Sequence, residues 1–168
     1  IGAISIIASV IGTFFVRMGK SQYIMGALYK GLAVSGILAA VVFYFASKEF
    51  LKGLPQSQQI FSAGSVFGMA VIGLILTGLI VIITEYFTST SFNPVRHIAA
   101  TSQTGHATNI IAGLANSMKS TALPVLTICA AIGGAFWLGG GFTGHVTAGL
   151  FAIALSAVAM LSMTGIVV

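Results

Sequence analysis

Five long apolar runs, at about 1–16, 31–47, 61–87, 108–136 and 147–168, are what most constrain this chain. A helix that crosses the hydrocarbon core of a bilayer needs roughly 20 predominantly apolar residues. The 168 residues include only 7 Lys and Arg and 2 acids, 5% charged against 57% hydrophobic. A soluble domain carries roughly 25% charged residues, so this chain cannot cover a water-facing surface. In lipid every backbone N–H and C=O must be bonded within the protein, which leaves helices or closed barrels. Runs of this length select helices. The expected fold is all-α, a multi-pass transmembrane helix bundle, read as one unit over 1–168 with the five spans above. The third and fourth runs exceed the minimum and are expected to tilt or to project beyond the bilayer.

The net charge is +5, but the basic residues are scattered rather than gathered on one face. That excludes a nucleic-acid surface, which needs a clustered basic footprint. The start lacks the basic region of a signal peptide. The chain breaks off at Gly165-Ile166-Val167-Val168 inside an apolar run, so it reads as an internal piece of a longer polypeptide. Cys129 stands alone in an apolar run and is expected to act as a small buried hydrophobe.

Arg17, Lys20 and Lys30 lie in the first connection and Arg96 in the third, with Lys119 beyond it. The second holds Lys48 and Lys52 beside Glu49, and the fourth, from Trp137 to Val146, holds no Lys or Arg. By the positive-inside rule the first and third connections face the cytoplasm. Tyr23, Tyr44, Phe50, Tyr86, Phe87, Phe92, Trp137 and Phe142 fall near the expected membrane boundaries. Close helix packing is expected at two small-residue ridges, Gly64/Gly68 and Ala148/Ala152/Ser156.

The stretch from Thr84 to Val125 is polar and rich in Gly, Ser and Thr, although it joins two apolar helices. Asn93-Pro94 predicts a turn into a short helix, with Pro94 in its first turn and Val95, Ile98 and Ala99 on its apolar face. Thr101 to Gly105 should end it. Thr108 or Asn109 should cap the next helix. Pro124 lies well inside that helix, where it removes a backbone hydrogen bond and is expected to kink it.

Glu49 and Glu85 are the only acids, and there is no Asp. Glu49 sits among lysines and is expected to be solvated. Glu85 and Lys119 lie near membrane depth, where charges are usually paired, so they form a candidate structural ion pair. His97, His106 and His145 have no Cys or carboxylate near them, as a metal site would need. No phosphate-binding loop, H-E-x-x-H, C-x-x-C or G-x-S-x-G motif is present. Gly139-Gly140-Gly141 reads as a turn. No catalytic, cofactor-binding or metal-binding residue is assigned.

The runs TEYFTS, NPVRHIA, SQTGHATNIIAGLA and MKSTALPV, with AIALSAVAMLSMTGIVV at the end, resemble the membrane-integral, ion-pumping inorganic pyrophosphatases. The likeness is specific over about 84–132 and 150–168 and is nearest to bacterial, proton-pumping members. It implies a sixteen-helix pump in two rings, of which these spans would be the seventh to eleventh. It further implies a homodimer in a bacterial inner membrane, with Gly113 to Phe136 as the candidate dimer surface. Pyrophosphate would be hydrolysed with Mg2+ held by clustered aspartates outside this segment, and the ion moved would be a proton or sodium. This segment would then serve as scaffold, dimer contact and the start of an inner-ring helix. The chain departs from many members at His97 and Lys119, where they carry acids, and at Asn116, where Gly is usual. The alternatives are a non-enzymatic transporter or channel component, with Asn109, Asn116, Lys119 and Pro124 lining a path, and a structural membrane subunit.

Overall fold

A computed structural model describes residues 6–7, 10–11, 24–52 and 62–161. Among the described residues the longer helices are α1 (Ile24–Lys52), α2 (Ala63–Thr88), α3 (Asn93–Thr101), α4 (His106–Leu138) and α5 (Val146–Leu161), with a 3-10 turn at Gly141–Thr143. No strand occurs among the described residues. Most of the run expected at 1–16 lies outside the described residues, as do Arg17, Lys20, Tyr23 and 162–168.

Among the described residues, three stretches are long and apolar enough to cross a membrane: Tyr29–Glu49, Ala63–Thr101 and His106–Leu138. The fourth, Val146–Leu161, is apolar but shorter. Large apolar side chains stand outward along them, with Ile37 66%, Phe45 63% and Leu126 65% exposed. Water would penalise such a surface. Lipid tails accept it at no cost, so the chain is an all-α, multi-pass membrane segment.

Lys30, Lys48, Glu49 and Lys52 were expected in connections, yet all four lie on α1. Straight-chain residues are good helix formers, and the helix runs on where apolarity stops. Lys48 Nζ lies 4.7 Å from the centre of the Tyr44 ring, one turn back on the same helix.

The helices fall into two compact units, residues 1–77 with 131–168 and residues 78–130. In the first unit Phe43 is fully buried in a cluster with Ala39, Ala70 and Ala159, flanked by Phe67 and Leu74. Small residues let the backbones close in around one large ring. Ala148, Ala152, Ser156 and Ala159 are all buried along one side of α5. This is the expected ridge, lengthened by Ala159. Its partner on α2 is Gly73, where an added Cβ would stand 2.2 Å from the Ser156 carbonyl oxygen and 2.9 Å from Ala159 Cβ. Among the described residues, a Cβ added at Gly64 would come no nearer than 3.9 Å, to the Ser62 hydroxyl, and one added at Gly68 would stand 3.3 Å from a Leu138 methyl. Beside Gly73, the Thr77 hydroxyl reaches both the Gly73 carbonyl at 3.0 Å and the Met160 carbonyl at 3.2 Å. Between α4 and α5, Gly139 to Thr143 forms a hydrogen-bonded turn through Gly140 N–H to Trp137 C=O and Thr143 N–H to Gly140 C=O.

In the second unit the polar stretch closes on itself. The Thr101 hydroxyl donates to the Ile98 carbonyl, Ser102 to Ala99 and Thr104 to Thr101. The Ser/Thr density thus satisfies backbone carbonyls that a helix end leaves open. α3 begins at Asn93-Pro94 after Phe92 in extended conformation. Val95 and Ile98 are half-buried, whereas Ala99 is exposed. α4 begins at His106, two residues before the expected cap. Thr108 instead bonds back to the Gly105 carbonyl from the first turn at 2.8 Å. Gly105 has φ +135°, which side chains resist. Gly105→Ala should destabilise the intact protein by about 1–3 kcal/mol, read as a lower thermal midpoint in detergent.

Candidate functional site

The second unit contains two neighbouring cavities. Both follow from the spacing of residues on α4. Ala112, Ala115, Asn116 and Lys119 fall at i, i+3, i+4 and i+7, which puts them on one stripe. They wall a cavity of about 410 Å³ together with Tyr86 and Phe87 of α2 and Asn93, Pro94 and His97 of α3. A second stripe, Gly113, Asn116, Ser117, Ser120 and Pro124, walls a cavity of about 290 Å³ against Ile83, Thr84, Phe87 and Thr88 of α2. Phe87 and Asn116 line both, so they stand between the two spaces.

The first cavity is aromatic on one side and polar on the other. Tyr86 packs against Phe87 edge-on at 5.1 Å and against Phe92 at 5.3 Å. The polar side offers an ammonium, an imidazole and two carboxamides, and no acid lines it. Arg96, one residue before His97, is tied down elsewhere, its Nε donating to the Thr90 carbonyl at 3.2 Å.

The structure does not bring Glu85 and Lys119 together. They form no ion pair, and Glu85 lines neither cavity. Tyr86 and Phe87 form the α2 side of the space that Lys119 enters. At about 100° per residue, Glu85 lies roughly 150° round the helix from the middle of that face. Pro124 lies in an uninterrupted helix over His106–Leu138. Its missing N–H withdraws the usual donor from the Ser120 carbonyl, on the wall of the second cavity. Asn109 lines neither cavity, and its Oδ1 is buried without a hydrogen-bond partner. His97, His106 and His145 are exposed. Cys129 is exposed rather than buried, because α4 presents it on an uncovered face.

The two cavities were not foreseen. The stripe on α4 was readable from its spacing, but the α2 and α3 walls depend on how the polar stretch folds back. Among the described residues no three His, Cys, Asp or Glu side chains gather where they could hold a metal ion. Magnesium favours carboxylate oxygens, and the residues present do not supply that set.

Fold and cavities together define the class: a polytopic α-helical membrane protein whose polar features are built from side chains held between apolar helices. The chain belongs to the inorganic H+ pyrophosphatase family, whose model matches residues 1–168. The resemblance carried by TEYFTS, NPVRHIA and the runs after them therefore holds across the whole chain. It is 43% identical over 170 residues to pyrophosphate-energized proton pump 2 of Mycoplana dimorpha, covering 99% of this chain and 77% of that protein. It is 41% identical to the pump of the same name from Rhizobium leguminosarum bv. trifolii, covering 97% of this chain and 73% of that one. Against the K(+)-insensitive pyrophosphate-energized proton pump of Methanosarcina mazei it is 40% identical over its full length. There it spans only 23% of the relative.

Proposed function

We propose that the intact protein carrying this segment couples hydrolysis of inorganic pyrophosphate to proton translocation across a bacterial inner membrane. The family match over residues 1–168 carries this reading. The similarity to proton pumps in separate organisms supports it. Neither a non-enzymatic transporter component nor a purely structural subunit is favoured by those matches.

In this reading the segment is framework. Activating water with Mg2+ requires clustered carboxylates, and this chain has only Glu49 and Glu85. The metal and the hydrolytic chemistry therefore belong to other parts of the pump. We assign to this segment the five spans of the seventh to eleventh helices, the dimer surface at Gly113 to Phe136, and the bracing of α5 against α2. The dimer assignment is supported by α4, which leaves Leu114, Val125, Leu126 and Ile132 exposed.

The test uses the intact protein in sealed vesicles. Adding pyrophosphate with Mg2+ should release phosphate and move protons together, and chelating the metal should abolish both. Hydrolysis that survives chelation, or that never moves protons, would overturn the reading.

A further inference from the structure

We draw no further inference here: the strongest candidate, the cavity of the second unit lined by Asn93, His97, Asn116 and Lys119, carries nothing, because nothing in the structure shows what occupies it.

Discussion

Gly73→Ala should lower the thermal midpoint of the intact protein sharply, while Gly78→Ala, five residues later on the same helix, should leave it unchanged or raise it. The contrast isolates packing from propensity. Alanine is the better helix former at both positions, by roughly 1 kcal/mol. At Gly78 nothing lies within 4 Å of the added methyl group, so that gain is kept. At Gly73 the methyl group would stand 2.2 Å from the Ser156 carbonyl oxygen and 3.0 Å from the Met160 backbone nitrogen. Both obstacles are backbone, so no rotamer change can relieve the clash. α5 would have to retreat from α2 by about 1 Å to restore van der Waals distance. Overpacking of this kind costs typically 1–3 kcal/mol, occasionally more, and a retreat would also strain the contact between Thr77 and Met160. Thermal unfolding in detergent reads both variants. Equal midpoints for the two would mean that α2 and α5 do not meet at Gly73.

Phe43→Ala is the second large effect. Phe43 is fully buried, and Ala39, Ala70 and Ala159 around it are too small to collapse into the space. In a water-soluble core such a truncation costs about 3–5 kcal/mol. Here part of that penalty is absent, because lipid tails are as apolar as the core and transfer between them gains little. The lost dispersion contacts and the cavity remain, and they should cost about 2–3 kcal/mol. The control is Ile37→Ala on the same helix, where the side chain is 66% exposed. It should cost close to nothing. If the two substitutions destabilise equally, α1 is not packed against α2 through Phe43.

The helices were legible in the sequence because length and apolarity are local properties. So was the short helix at Asn93–Thr101, since Asn-Pro sets both a turn and a helix start. What the sequence left open was direction around each helix. Glu85 and Lys119 share a depth, which suggested a pair, but depth says nothing about the side of the helix on which a residue stands. Gly64 and Gly68 match a known packing pattern, yet the intimate contact falls on Gly73. That contact depends on Ser156, more than 80 residues away, and no local pattern carries it. The ends of α1 were misplaced for a different reason, since charged residues that are good helix formers extend it past its apolar part. The family was legible from the polar stretch between the spans, where the residues are too unusual for a generic membrane helix.

The position of the Thr77 hydroxyl has a mechanical consequence. It has one proton and two acceptors within reach, a carbonyl of its own helix and one across the gap on α5. Were α5 to withdraw, that proton would still have the Gly73 oxygen to bond. The donor would not be stranded in a medium where an unbonded polar group is costly. The junction is therefore a clasp that can open without leaving a broken bond behind. Its resistance to opening comes almost wholly from interlocking shape, and a single methyl group can tune that.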